Sequence, residues 1–405
     1  MQTKDYKMSN FISESITTPI KYECDVCVCG GGFAGISAAL AAARSGAKTV
    51  LLERSYMLGG LATAGIVTIY LPLCDGMGRQ VSFGIAEELF RLSIKDGVEG
   101  RYPKAWLEGG TLEEKCKTRF LVQFNPQLFA INAEKLLLDA GVKIIYGAVA
   151  VAAPTKDAKI TAVVIEGKSG REAIAVKSVV DTTGDADICK LSGAKTAEFS
   201  HGNLLAAWYY SYGNGEYKLN TRGVCDVPDE DRRAGKVPPT LTNRRFRALE
   251  TDELSEMMQL SHANVLADIH KERANIPDLV PVTIPTIPQV RMTRRIVGAY
   301  TQAEDEKHKR FDDSVGLFSD WRKRGPVYEL PFRTLYGNEV KNLAVAGRCI
   351  SVTDGMWDIT RVIPVCAVSG EAAGLAAAMG DDFSAVDVAK LQEKLSSRGV
   401  KLHED

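Results

Sequence analysis

Gly30, Gly32 and Gly35 stand at the spacing that wraps a backbone around a pyrophosphate, and Glu53 follows where a ribose-binding acid would. Gly30 permits a tight turn, Gly32 lets the main chain approach the phosphates, and Gly35 lets a helix pack close to a strand. Phe33 and Ala34 open that helix, whose unpaired N–H groups carry partial positive charge toward an anion. Glu53 can accept hydrogen bonds from a ribose diol and would repel a 2′-phosphate, which argues against NADP. Arg54 lies beside it.

A glycine fingerprint alone does not separate NAD from FAD. Gly59-Gly60 closely follows Glu53, where a pyrophosphate and ribityl chain would run. Thr183-Gly184-Asp185 ends a later strand, and an Asp there can hydrogen-bond a ribityl hydroxyl. Gly347-Arg348 precedes a helix opened by Pro364 and rich in Ala and Gly, so flat rings can approach its end. A helix start at that point would stabilise negative charge on a reduced flavin. Ala148, Val149, Val362 and Ile363 complete the expected cofactor contacts.

The elements that must position these residues are legible around them. Asp25–Cys29 and Lys48–Glu53 read as strands flanking a helix from Ile36 to Arg44, with Gly46 as its C-cap. The cluster Ile66-Val67-Thr68-Ile69 reads as a strand, and Gly84–Asp96 as an amphipathic helix. Asn125-Pro126 starts a helix that runs to Ala140, before a strand at Lys143–Tyr146. Residues 148–151, 160–166 and 173–180 form a meander, and Asn342–Ala346 a buried strand. The expected fold is α/β: a Rossmann-like domain over 22–191 and 331–380, with an excursion at 97–124. An inserted α+β substrate domain spans 192–330, between a 1–21 extension and a 381–405 helical tail.

Composition narrows the partners. The chain has 405 residues, 45% of them hydrophobic, and a net charge of −1, so neither nucleic acid nor an anionic membrane is favoured. Met1–Tyr22 lacks the apolar core of a secretory signal, and Ser55–Cys74, though apolar, is broken by Gly59, Gly60, Gly65 and Pro72. It reads as a buried loop and strand. Nine cysteines show no disulfide or zinc spacing and suit a reducing, cytoplasmic setting; no metal is expected. The run Asp229–Arg233 reads as solvated loop.

The chain resembles the FAD-dependent oxidoreductase family of the glutathione-reductase-type flavoprotein superfamily. The resemblance rests on Asp25–Gly35, Gly59–Thr63, Asp181–Asp187, Arg291–Gly298, Phe311–Gly316, Asn342–Ser351, Arg361–Cys366 and Gly370–Gly374. It implies bound FAD, a discontinuous FAD domain and an inserted substrate domain. Family members commonly carry a histidine shortly after the Gly-Arg-x-x-Ser motif; this chain has Asp354 there. A second GxGxxG unit is absent, and Ser55–Asp75 holds one cysteine rather than a redox pair. The expected reaction removes a hydride from a hydroxyl- or amine-bearing carbon of a sugar, polyol or hydroxy acid, with an external electron acceptor. Alternatives are reduction of an activated C=C bond, or a non-catalytic FAD-binding module.

Such a reaction needs a base and cations. His201 and Asp354 are the base candidates, and Arg361 is the cation expected near the flavin. Arg291, Arg294 and Arg295 cluster; in a strand, Arg291 and Arg295 share one face and Arg294 takes the other. Arg291, Arg294 and Trp357 are the substrate-side candidates, while His262, His270, His308 and His403 read as surface residues. A homo-oligomer is compatible with the sequence.

Overall fold

A computed structural model describes residues 12–223 and 240–404 of the chain, so the run Asp229–Arg233 lies outside the described residues. A seven-stranded sheet organises them. Across it run 143–146, 49–53, 20–29, 170–181, 162–167 and 149–152, and 343–345 pairs with 170–181. The first four and 343–345 are parallel, whereas 162–167 and 149–152 return antiparallel as the meander. Strand 170–181 is the hinge of this plan. Residues 170–175 pair with the meander and 179–181 with Leu343–Val345, so one long strand joins two parts of the chain.

The first strand begins at Ile20, ahead of the expected Asp25, because Ile20–Cys24 pair with Ala173–Val176. The strand expected over Ile66–Ile69 shrinks to Ile69–Tyr70, since Ile66 turns to φ 58°, out of the extended region. Helix Phe33–Ala43 is almost wholly buried and crosses helix Ile363–Ala377. A Cβ on Gly370 would sit 2.3 Å from the Ala34 carbonyl oxygen, and one on Gly374 2.1 Å from that of Ala38. The glycines of the second helix therefore serve this crossing.

Within 192–330 two packing environments occur. Leu205, Phe246, Ala248, Met257 and Val290 form one small core, and Ala207, Tyr209, Val265, Ile269 and Leu279 another, beside helix Thr251–Glu272. The hairpin Ser314–Ser319/Val327–Pro331 instead sends Val315, Phe318, Tyr328 and Leu330 into the main core. Tyr210 ties the smaller part to the larger through a 2.7 Å hydrogen bond between its hydroxyl and that of Thr68. Among the described residues no single helix is long and apolar enough to cross a membrane. Their eight cysteines are all free, six of them buried.

Candidate functional site

The parallel strands end together. Cys29 stands in register with Leu52 and Asp181, and Asp181 with Val345, so the turns after four strands open on one crevice. Ligands of open α/β sheets bind at this carboxyl edge. A cleft here is lined from the glycine loop through Glu53, Gly59-Gly60, Ala148-Val149 and Thr183-Gly184 to Gly347, Arg348 and Arg361. Every expected cofactor residue lines it except Gly35, Asp185 and Val362.

The glycine loop is shaped for a ligand. Gly30 has φ +113°, and a Cβ there would lie 2.4 Å from the Thr182 carbonyl oxygen, so the fold itself demands glycine. Gly32 differs. Its φ −71° and ψ −178° suit any residue, and a Cβ would meet no protein atom within 4 Å. What it keeps clear is open cleft, the cradle a pyrophosphate needs. Glu53 is buried and accepts from the Gly31 N–H at 2.8 Å through Oε2, and from the Ser55 N–H and O–H, both at 2.7 Å, through Oε1. It clamps the loop while lining the cleft.

Two helix starts face this space without side-chain caps. Helix 33–43 begins at Gly32 and helix 363–377 at Val362, and neither has an acid in its first turn. By contrast Thr111, Asn125, Thr353 and Asp387 cap their helices with side-chain oxygens. Uncapped N–H groups at two ends of one cleft fit a long anionic dinucleotide. The residues present therefore fit FAD: the glycine loop would hold its phosphates, and Gly347 and Ile363 would border its ring end.

Behind the cleft wall the acids of 181–187 hold the turn. Asp181 is fully buried and accepts from Thr183 N–H and O–H and from Cys189 N–H, although burial pushes its carboxyl up. Asp185 does not line the cleft. Its Oδ1 accepts from Arg348 Nη2 and from the Thr293 hydroxyl, each at 2.6 Å, so this acid fixes an arginine that does line the cleft. Asp187 lines the cleft and binds Arg294 at 2.8 Å; burial, then Asp185 and Asp181, push its carboxyl up to about 6.

The far end is built by a broken helix. Asp354–Thr360 and Ile363–Ala377 meet at 91°, and Arg361 lies at the break. It donates to Asp358 Oδ1 at 2.7 Å, Asp358 also pairs with Arg322 at 3.1 Å, and the guanidinium lies over the Trp321 ring. Burial pushes the thiol of neighbouring Cys366 up to about 12.

Asp354, His201, Trp357, Arg291 and Arg294 are not among the lining residues. The fold nonetheless brings several together. Asp354 Oδ2 accepts from Ser200 N–H at 3.1 Å and Ser200 O–H at 2.5 Å, so it lies beside exposed His201. His201 packs edge-on to Phe199, which packs edge-on to buried Trp357, whose indole N–H donates to the Arg348 carbonyl. The shared face expected for Arg291 and Arg295 is absent. Strand 294–296 starts too late, because the N–H groups of Arg291 and Met292 donate to the Asn203 side chain. Arg294 binds the Asp185 carbonyl and the Asp187 carboxylate. His403 is not a plain surface residue, since its Nδ1 pairs with buried Glu329 at 2.9 Å.

Lining residues beyond the sequence reading include Thr182, Leu61, Ile287 and Cys366. Thr182 sits inside the Thr-Thr-Gly-Asp motif, where its hydroxyl donates to the carbonyls of Cys29 and Gly30. Ile287 had no local signal; the segment 285–290 reaches the site by pairing with Ala64 and Gly65. Among the described residues no group of three or more His, Cys, Asp or Glu could hold a metal.

Several solved structures are similar. A geranylgeranyl bacteriochlorophyll reductase-like protein from Thermoplasma acidophilum is 13% identical, covering 93% of this chain and 83% of its own, with a TM-score of 0.46. A 3-ketosteroid-Δ4-(5α)-dehydrogenase from Rhodococcus jostii is 13% identical, covering 89% and 98%, with a TM-score of 0.40. THI4 from Thermovibrio ammonificans is 19% identical over 43% of this chain, with a TM-score of 0.32, and the chain spans 64% of its length. The family described as FAD dependent oxidoreductase matches residues 25–204 and 207–395. The chain belongs to that family, and is an FAD-dependent oxidoreductase.

Proposed function

We propose that the enzyme dehydrogenates a small polar substrate at a carbon bearing a hydroxyl or amine. FAD, when bound, supplies a two-electron acceptor at N5. The substrate carbon loses a hydride and its hydroxyl or amine loses a proton, leaving a carbonyl or imine; an external acceptor later removes the two electrons. Supporting this reading above all is the pair of fixed cations at one end of the cleft. Arg348 is held by Asp185 at 2.6 Å and Arg361 by Asp358 at 2.7 Å. Cations locked by carboxylates keep their orientation without reorganising when negative charge develops nearby.

The base we assign is Asp354 or His201. Asp354 has Oδ2 occupied by Ser200, which leaves its second oxygen for a substrate proton. His201 lies on an exposed turn and can pass the proton to water. The sheet, parallel strands continued by an antiparallel meander, supports assignment to the glutathione-reductase type. The eight free thiols among the described residues support a cytoplasmic setting.

Anaerobic mixing with polyol and hydroxy-acid panels tests the reaction. Bleaching of the flavin band is the expected result. Bleaching by dithionite alone, with colour restored by an enoate, would instead establish a C=C reductase. Asp354→Asn and His201→Asn should separate the two bases: the true one lowers the bleaching rate on the order of a hundredfold or more.

A further inference from the structure

A second cavity, of about 660 Å³, opens between the start of helix 85–93, the ends of helices 33–43 and 388–397, and the middle of helix 363–377. It shares no lining residue with the cofactor cleft. Glu371 on its wall lies about 12 Å along helix 363–377 from the end that faces that cleft. Six charged side chains line it: Arg44, Arg91 and Arg398 against Glu87, Glu88 and Glu371.

Four of the six cancel. Both Nη atoms of Arg44 donate to the two oxygens of Glu88 at 2.7 Å, and Arg91 grips Glu87 Oε1 at 2.7 Å. Glu371 and Arg398 remain. Glu371 is 2% exposed, and its Oε2 accepts from the Ile85 N–H at 2.8 Å, in place of the side-chain cap that Gly84 lacks. That bond accounts for one oxygen. Oε1 accepts from no group among the described residues, and it is not sealed from the cavity. Arg398 is half-buried and donates to the Ala41 carbonyl at 3.3 Å and the Ser45 hydroxyl at 2.8 Å, both neutral. Glu371 and Arg398 feel each other electrostatically, yet among the described residues no ion pair joins them. Burial holds the Glu371 carboxyl up at about 7 even with Arg398 and Arg44 near it.

A buried carboxylate with a free oxygen and an arginine without a carboxylate, apart on one cavity, suit a ligand that carries both opposite charges. A net anion would meet Glu371, and a net cation would meet Arg398. We infer that this cavity binds an amino-acid zwitterion, its ammonium on Glu371 Oε1 and its carboxylate on Arg398, with an apolar side chain along Phe83. The site does not depend on the dehydrogenation reading above.

Calorimetric titration of the holoenzyme tests it, with leucine, phenylalanine and glycine as probes. 3-Methylbutylamine and 4-methylpentanoate serve as the single-charge counterparts of leucine. Leucine should bind at least about tenfold more tightly than either, since each lacks one charge-assisted contact. Glu371→Gln and Arg398→Met should each weaken leucine by about tenfold or more, and Arg398→Lys should restore part of the second loss. Leucine should also release protons at pH 7, because its ammonium favours the ionised form of Glu371. Titration in buffers of different ionisation heat reads that release, and Glu371→Gln should abolish it. Unchanged FAD content shows that the variants fold; if Arg398→Met does not, Arg398→Lys and the comparison of leucine with its counterparts decide. Equal binding of leucine and either counterpart, or no binding of any amino acid, overturns the inference. So does leucine binding that ignores both Glu371 and Arg398. Anaerobic mixing separates this cavity from the cofactor cleft. Leucine that bleaches the flavin, at a rate and affinity unmoved by either variant, occupies the cleft alone and sinks the second site.

Discussion

Gly32→Ala isolates the cofactor cradle from the fold that carries it. The residue already has a backbone conformation open to alanine, and the added methyl would meet no protein atom within 4 Å. Two small terms act on the apoprotein. Losing glycine's flexibility in the unfolded chain gains about 0.4–1 kcal/mol. Alanine is a poorer N-cap than glycine, which costs a comparable amount. They nearly cancel, so apoprotein stability should stay within about 1 kcal/mol of wild type. The ligand sees a different change. A methyl at the mouth of helix 33–43 holds the pyrophosphate off N–H groups that no side chain caps. Losing one charge-assisted hydrogen bond, at about 1.5–3 kcal/mol, should weaken FAD by about tenfold to somewhat over a hundredfold. FAD titration of the apoprotein, followed by flavin fluorescence, measures the affinity, and denaturation of the same apoprotein measures the fold. Unchanged affinity with an intact fold would refute the cradle. An apoprotein destabilised by several kcal/mol would show that Gly32 serves the chain instead.

Three further outcomes are expected. Gly35→Ala should fail as a folding variant rather than a binding one, because its Cβ would fall 1.8 Å from the Gly30 carbonyl oxygen; soluble, cofactor-free protein of normal stability would contradict this. Asp185→Asn should leave Arg348 without its carboxylate and cost about 1–3 kcal/mol, with reduced FAD retention; wild-type melting and retention would remove Asp185 from the site. Glu371 is buried, accepts from the Ile85 N–H at 2.8 Å, and faces Arg44, Glu88 and Arg398, and burial pushes its carboxyl up to about 7. Its protonated form is favoured by folding, so stability is full below about pH 4.5 and declines toward 7, by about 3 kcal/mol in all. Glu371→Gln should flatten that decline and stabilise the holoenzyme above pH 7; denaturation curves that stay parallel at pH 5 and 8 count against it.

Much of the cofactor half was readable because its signals are local. Helix 126–139 is announced by Asn125 and Pro126, and the Asn125 side chain does accept from Gln127 and Leu128 N–H groups. The strand order of the opening unit follows from its short connections. Misreadings arose where a residue's partner lies far along the chain. Nothing local to Asp185 announced that Arg348 and Thr293 would claim its Oδ1. Arg291 and Arg295 read as one face of a strand until the Asn203 side chain claimed the N–H groups of Arg291 and Met292.

What the sequence determined by itself is the class of ligand, because glycines at 30, 32 and 35 and an acid at 53 act through the backbone of one short unit. The tertiary structure alone decided which charges are spent and which remain. Arg294 and Arg295 are neighbours in sequence with the same side chain, yet one is neutralised by Asp187 and the other forms no ion pair among the described residues. Successive side chains on a strand point to opposite faces. Which face meets an acid depends on a turn 107 residues away.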